Sequence, residues 1–217
     1  PGAGKTHWLI SHIKNVVSNS NKLDVVKKVA CITYTNVGTD TITSRLDIGN
    51  DVVEVCTIHS FLYANVVKPY IHLVSKDFGL KLDDLVVIDD SNFKSEGTAA
   101  IVLKRIGKSW LDAKIYLKGL TKAMWRYENH EYKHYKPNYP QTYELKSGKR
   151  YVGNDWYMEF KRWLWSGGYM SFDDILYFSY ILLSRYSNIF KLIKARYPYI
   201  FVDEFQDTIP FVAVSYT

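Results

Sequence analysis

Apolar positions near the start of the chain recur at helical spacing and then give way to short apolar runs. Leu9, Ile10 and Ile13 mark one face of a helix, whereas the mostly β-branched residues before Tyr34 are typical of a strand. Further along, Tyr197-Pro198 ends a long amphipathic stretch. The pattern predicts helices over residues 7–17, 36–46, 59–74 (interrupted near Pro69) and 171–196, and strands over 25–34, 52–57, 85–88 and 199–202.

The pattern changes between about residues 75 and 168, where 85–88 is the one run with strand character. Helical spacing dominates elsewhere, and prolines and glycines between Tyr132 and Asn154 predict a loop. The segment is rich in aromatic residues, and we expect most of them to form its core. Its tryptophans are Trp110, Trp125, Trp156, Trp163 and Trp165. We therefore interpret this segment as a mainly helical insertion.

Composition is that of a folded globular protein. Of 217 residues, 47% are hydrophobic and 23% charged, which excludes a disordered chain or a disulfide scaffold. Cys31 and Cys56 lie in apolar runs, where buried free thiols are expected rather than a disulfide or a metal site. Neither a membrane-spanning run nor a signal peptide is evident, so the sequence predicts a cytoplasmic protein without a membrane partner.

Positive charge is concentrated in the predicted insertion. Basic residues exceed acidic ones by 28 to 22 in the whole chain, but by 14 to 6 between Lys104 and Arg162. Such a local excess favours a polyanionic partner such as nucleic acid. The alternative is an ordinary solvated face of lysines.

The first six residues indicate a phosphate-binding loop. Gly2, Ala3 and Gly4 let backbone N–H groups approach phosphates, Lys5 can reach the β and γ phosphates, and the Thr6 hydroxyl can bind Mg²⁺. Pro1 is also included among the predicted nucleotide-binding residues. The residues that precede it in such a loop are missing from this sequence. Because the chain starts within this motif, we expect it to be a fragment of a longer protein.

A pair of acidic residues follows the last predicted strand. Asp203 and Glu204 stand at its carboxyl end, where ligands bind in open parallel sheets. In a phosphate-loop ATPase, Asp203 would hold Mg²⁺ and Glu204 would polarise the attacking water. The alternative is two solvated carboxylates in a turn.

Ordered motifs extend this interpretation to a family. The segment Val202–Thr208 (VDEFQDT) resembles the second motif of UvrD/Rep-like superfamily 1 DNA helicases. Ile32–Asn36 (ITYTN), before a helix that ends in Arg45-Leu46, is similar to the family's Ia motif, and Thr57–Phe61 matches its Thr-x-His-Ser-Phe segment. Ser171–Leu176 resembles a Phe-Asp-Asp stretch that precedes the acidic motif.

The resemblance implies an α/β fold, with a RecA-like parallel sheet flanked by helices and an inserted helical subdomain. The ATP-binding domain would comprise residues 1–70 and 168–217, and the insertion 71–167. The implied function is that of the ATP-binding part of a helicase or translocase that moves on single-stranded DNA, with ATP, Mg²⁺ and duplex junctions as further ligands. Because the second RecA-like domain is missing, little activity is expected of the fragment alone.

Site residues follow from the motifs. Lys5, Glu204 and Gln206 are the implied catalytic group, with Gln206 sensing the nucleotide and coupling it to DNA. The implied DNA-binding residues are Tyr34, Thr35, Asn36, Thr57 and His59. One departure removes a positive charge near this track, since the family's Lys-Ala-Ala after the Ia motif is replaced by residues 37–39 (Val-Gly-Thr).

Several alternatives stay open at this stage. Tyr34 could be a core residue and His59 a packing histidine, and Asp173 and Asp174 are better explained as charges at a helix N-terminus than as catalysts. For the whole chain, the alternatives are a passive nucleic-acid-binding module with remnant ATPase motifs and a small-molecule kinase. The kinase interpretation leaves Gln206 and the 57–61 segment unexplained.

Overall fold

A computed structural model describes residues 4–49, 51–121, 124–128, 131–135, 143–145, 148–150 and 154–203. From residue 124 to 156 the description covers the backbone alone. Within these ranges no helix is both long enough and apolar enough to cross a lipid bilayer.

Helices and strands alternate along the described chain. The α-helices are α1 (Lys5–Asn19), α2 (Asn36–Leu46), α3 (Ile58–Leu62), α4 (Lys68–Tyr70), α5 (Ser75–Phe78), α6 (Glu96–Arg105), α7 (Ala113–Leu120), α8 (Asn154–Ser166), α9 (Phe172–Arg185) and α10 (Ser187–Arg196). The strands are β1 (Val29–Thr33), β2 (Val53–Thr57), β3 (Val86–Ile88), β4 (Met124–Glu128), β5 (Glu131–Tyr135), β6 (Tyr143–Leu145), β7 (Gly148–Arg150), β8 (Tyr169–Ser171) and β9 (Tyr199–Val202). A π-helical turn (Tyr63–Val67) and 3₁₀ turns (Ile71–Leu73 and Asp90–Phe93) occupy parts of the connections.

The chain divides into two compact units. The first unit comprises Pro1–Pro69 and Ser179–Thr217, and the second comprises Tyr70–Phe178. The class is mixed α/β, as predicted.

A parallel sheet organises the first unit. Its described strands lie in the order β2-β1-β9, with Val29 of β1 opposite both Val53 and Tyr199. All five residues of β1 are buried, as expected for the middle strand of a parallel sheet. Helices α1 and α2 supply the rest of this core, which contains Leu9, Ile10, Ile13, Val29, Cys31, Ile42, Leu46 and Val53.

The second unit combines helices with small two-stranded sheets. Strands β3 and β8 pair in parallel, whereas β4 with β5 and β6 with β7 form antiparallel pairs. Its core is aromatic: the Trp165 ring lies 4.9 Å from the Phe178 ring and 5.8 Å from the Phe78 ring, between centroids. The prediction that tryptophans of the insertion form its core is thus confirmed for Trp165.

Three predicted elements need correction. Strand β1 begins at Val29 rather than residue 25, because Asp24 accepts backbone hydrogen bonds from Val26 and Lys27 and forms a turn there. The single helix predicted over 171–196 is two helices, separated at Tyr186, where the backbone leaves helical geometry. Strands β5, β6 and β7 lie where a loop was predicted between 132 and 154, and β4 lies just before it.

Candidate functional site

Three of the predicted motif segments lie at one edge of the parallel sheet. The register places Thr33 opposite Thr57 and Ile32 opposite Val202, so the carboxyl ends of β1, β2 and β9 coincide. The backbone N–H of Asp203 donates to the carbonyl oxygen of Ile32 at 2.8 Å, which continues the pairing to the first acidic residue. The three motif segments therefore begin at the same edge of the sheet.

Helix α1 begins at the phosphate-loop lysine. Gly4 precedes it with φ 69°, a left-handed conformation that favours glycine, and the Gly4 carbonyl accepts from the N–H of Trp8 at 2.9 Å. Lys5 is exposed and Thr6 half-buried at the first turn. The N–H groups of a first helical turn point away from the helix and favour anions.

Tyr34 is an exposed residue just beyond β1. Its side chain is 58% exposed, so the alternative that it belongs to the core is wrong. The ring is available to a ligand at the sheet edge.

Two threonines of the predicted DNA track cap helices. Thr35 Oγ1 accepts from the N–H of Gly38 at 3.0 Å at the start of α2, and Thr57 Oγ1 accepts from the N–H of Ser60 at 3.3 Å at the start of α3. The Thr57 hydroxyl also donates to Ser60 Oγ at 3.0 Å, which occupies its proton. No such acceptor for the Thr35 hydroxyl is found among the described residues. Thr35 is therefore better placed than Thr57 to donate to a ligand.

Two further residues of the predicted DNA track lie at the starts of α2 and α3. Asn36 is exposed in the first turn of α2, and His59 is half-buried in α3. Glu204 and Gln206 lie outside the described residues, as do Pro1, Gly2 and Ala3.

Comparison with known proteins bears on this arrangement. The family model described as the UvrD/REP helicase N-terminal domain matches residues 1–213. The chain belongs to the UvrD/REP helicase family. The resemblance stated from the motifs is thereby confirmed, and it extends through the intervening segment.

The chain is also similar to a curated protein, the Gabija protein GajB of Bacillus cereus (strain HuB5-5). The two are 25% identical over an alignment 251 positions long, which covers 95% of this chain and 35% of the relative. The chain therefore spans about a third of the length of the curated relative that it matches.

A hydrogen-bond network that the sequence analysis missed lies within the first unit. The Tyr197 hydroxyl donates to Glu54 Oε2 at 2.6 Å and lies 3.2 Å from Asn65 Oδ1. Burial and the Glu54 carboxylate raise the pKa of Tyr197 above its usual value. The network joins β2, the π-helical turn and the residue that leads into β9. Tyr197 was seen in the sequence as a helix stop, and no local pattern signals its two distant partners.

The two cysteines are not candidates for nucleophilic chemistry. Both are free, and burial raises the pKa of Cys31 and Cys56 to about 12. The thiolate form that attacks substrates or binds metals is therefore negligible near neutral pH. The prediction of a buried free thiol is confirmed for Cys31, whereas Cys56 is free but only half-buried.

The acidic residues at the start of α9 have a structural role. Asp174 is fully buried, and its Oδ2 accepts from the N–H of Ser171 at 2.9 Å and from Trp165 Nε1 at 3.1 Å. Ser171 Oγ in turn accepts from the N–H of Asp174, so the two form a reciprocal cap. Asp173 is exposed in the first helical turn. The interpretation as helix N-terminal charges holds for Asp173, whereas Asp174 is also an internal ion-pair partner of Lys161.

Proposed function

We propose that this chain is the ATP-binding part of an ATP-dependent DNA helicase or translocase that moves on single-stranded DNA. One observation carries the proposal: the parallel register brings the ends of β1, β2 and β9, with their motif segments, to the same sheet edge. Membership of the UvrD/REP family supports it.

By this proposal, the chain contains a discontinuous RecA-like domain built around the parallel sheet. The proposed domain comprises residues 1–70 and 168–217, and the inserted subdomain comprises 71–167. Support comes from the parallel order β2-β1-β9, from the packing of α1 on this sheet, and from the first boundary between the two units, near residue 70. The second boundary differs, because residues 168–178 fall in the second unit.

Nucleotide would bind at the start of α1. The Lys5 ammonium group neutralises charge on the β and γ phosphates, while the first-turn N–H groups donate to phosphate oxygens. Thr6 and Asp203 offer hard oxygen donors of the type that Mg²⁺ prefers, and would hold it. The bound ion neutralises phosphate charge. Glu204 would orient the attacking water and accept its proton.

Single-stranded DNA would follow the neighbouring strand ends. An exposed Tyr34 ring suits base stacking, which tolerates any sequence because every base has a π face. Thr35 and Asn36 would contact the backbone, with Thr57 and His59 further along. Gln206, close in sequence to Asp203, would link the nucleotide to this track. An arginine from a second domain would stabilise the transition state, so we expect little turnover by this chain alone.

The nucleotide assignments can be tested in the full-length protein with Lys5→Ala and Glu204→Gln. Lys5→Ala should weaken ATP binding and abolish hydrolysis. Glu204→Gln should keep ATP binding but lower turnover by roughly 10² or more, because it keeps the shape of the side chain but not its basicity. Lys14→Ala, an exposed lysine of the same helix, is the matched control and should change neither. Normal turnover by the Glu204→Gln variant would remove Glu204 from the reaction.

A further inference from the structure

Trp110 is an exposed tryptophan in the loop between α6 and α7. Its side chain is 58% exposed, whereas Trp165 of the same unit is fully buried. An exposed indole keeps a large apolar surface in water, where burial would be favourable.

The backbone of this loop is well ordered by hydrogen bonds. Gly107, with φ 69°, ends α6, and its N–H donates to the Lys104 carbonyl at 3.1 Å. The N–H of Lys108 donates to the Leu103 carbonyl at 2.8 Å, and the N–H of Leu111 donates to the Lys108 carbonyl at 2.9 Å. These bonds fix the path of the backbone on both sides of Trp110.

Positive charge surrounds this ring in the sequence and, for one lysine, in space. Lys108 Nζ lies 5.8 Å from the centroid of the Trp110 ring. Lys104, Lys114 and Lys118 are also exposed, and in the part of the chain that the structure describes none of the four lysines forms an ion pair. The one acid between Lys104 and Lys118 is Asp112, whose carboxylate accepts from the N–H of Lys114 at 2.8 Å to cap α7.

We propose that the loop from Gly107 to Leu111, here called the Trp110 loop, binds single-stranded nucleic acid. The Trp110 ring would stack on an unpaired base, and the Lys108 ammonium group would contact a phosphate. An exposed aromatic ring beside lysines that form no ion pair with the described residues matches a ligand that combines π faces with negative charge, which a protein partner offers far less regularly. The proposal rests on the proposed function for its ligand class, and assigns to the second unit a contact separate from the Tyr34 track.

Equilibrium binding of a fluorescein-labelled oligothymidylate to the full-length protein tests the stacking contact. Base stacking on an aromatic ring is worth about 1 to 3 kcal/mol, so Trp110→Ala should raise Kd roughly 5- to 150-fold. Trp110→Phe should recover most of the affinity. Ile101→Ala, which truncates another exposed apolar side chain of this unit, is the matched control and should leave Kd unchanged. A folded Trp110→Ala variant with normal Kd would overturn the proposal, as would an equal loss of affinity for blunt duplex.

A second variant tests the phosphate contact independently of the ring. Lys108→Gln should reduce the slope of log affinity against log salt by about 0.7, the value for one phosphate contact on a single strand. An unchanged slope would contradict the assignment of Lys108.

ATPase activity separates this proposal from the proposed function. If both variants bind DNA normally and the protein still hydrolyses ATP in response to DNA, only the proposal for the Trp110 loop is overturned. If binding depends on Trp110 but the protein hydrolyses no ATP, only the proposed helicase function is overturned.

Discussion

Two threonine hydroxyl groups at the sheet edge stabilise helices and are also predicted to contact DNA. Thr35 and Thr57 each cap a helix, and a cap is worth about 1 kcal/mol of stability. Alanine at either position would lose this contribution, so weakened DNA binding would not by itself identify a contact. Serine keeps the capping oxygen and is the more informative replacement.

Tyr34 offers a cleaner test, because its side chain makes no contribution to the core. Tyr34→Ala should weaken single-strand binding by the full-length protein by about 1 to 3 kcal/mol, while the free energy of unfolding changes by under about 0.5 kcal/mol. Tyr34→Phe should be nearly silent in both. Val25→Ala, at an exposed position before β1, controls for loss of a surface apolar group. A destabilised Tyr34→Ala variant with normal DNA affinity would remove Tyr34 from the site.

Lys161 is a second residue whose environment decides its role. Its Nζ is fully buried and lies 2.7 Å from Asp90 Oδ2, 2.8 Å from Ser171 Oγ and 3.0 Å from Asp174 Oδ1. Burial lowers the pKa of a lysine, but the carboxylates of Asp174 and Asp90 outweigh this and raise the pKa of Lys161. The basic excess of the predicted insertion is thus partly internal, and Lys161 is unavailable to a polyanion.

We expect Lys161→Met to lower the free energy of unfolding of the second unit by roughly 3 to 5 kcal/mol, because it leaves two carboxylates with little compensation. The control is Arg162→Met, which removes a half-exposed charge 3.6 Å from Glu159 and should cost about 1 kcal/mol or less. Urea denaturation of both variants measures the difference. Equal midpoints would show that the buried network contributes nothing to stability.

Acid should weaken the same network. Burial raises the pKa of Asp90, but the Lys161 and Lys94 ammonium groups outweigh it, so the folded-state pKa is below the usual value. The resulting stabilisation is complete above the unfolded pKa of about 4 and is lost as the pH falls through the lower folded value. The stability difference between the wild type and Asp90→Asn should therefore shrink from pH 7 to pH 3. A difference that is constant over this range would contradict the assignment.

Among the elements, those with strong periodicity were predictable. Strand β2 and strand β9 match their predicted ranges to within one residue, because short runs dominated by β-branched and aromatic residues favour a strand. The break at Tyr186 was not predictable, since neither proline nor glycine marks it. Strands β4 and β5 carried a signal that was overlooked: aromatic and charged residues alternate through Trp125 and Tyr127, and again through Tyr132. The glycines and prolines after them gave the stronger impression of a loop.

The Tyr197 network joins β2, the π-helical turn and the residue that leads into β9. Tyr197→Phe keeps the ring contact with Phe61, at 5.2 Å between centroids, but removes the bond to Glu54. Since hydrogen bonds to charged groups contribute about 1.5 to 3 kcal/mol, we expect a loss of that size in the free energy of unfolding. Tyr199→Phe is the control: its hydroxyl accepts from Ser20 Oγ, a neutral bond that is worth less. If both variants unfold at the same denaturant concentration, the Tyr197 hydrogen bond contributes no more to stability than the neutral bond of Tyr199.

At the scale of the whole molecule, the order of the motifs predicted more than any single motif did. The family and the α/β class followed from segments spread from Lys5 to Asp203, and the family match over residues 1–213 agrees. The structure adds two features of the predicted site that the sequence could not show: the strand ends share one edge of the sheet, and Tyr34 is exposed. The assignments of Glu204 and Gln206 still rest on sequence.

The rate of ATP hydrolysis by the full-length protein, measured with increasing single-stranded DNA, tests the central claim most directly. The account predicts Mg²⁺-dependent hydrolysis that rises with DNA and saturates, and that Lys5→Ala abolishes at every DNA concentration. Hydrolysis that ignores single-stranded DNA, or that survives in the Lys5→Ala variant, would contradict it.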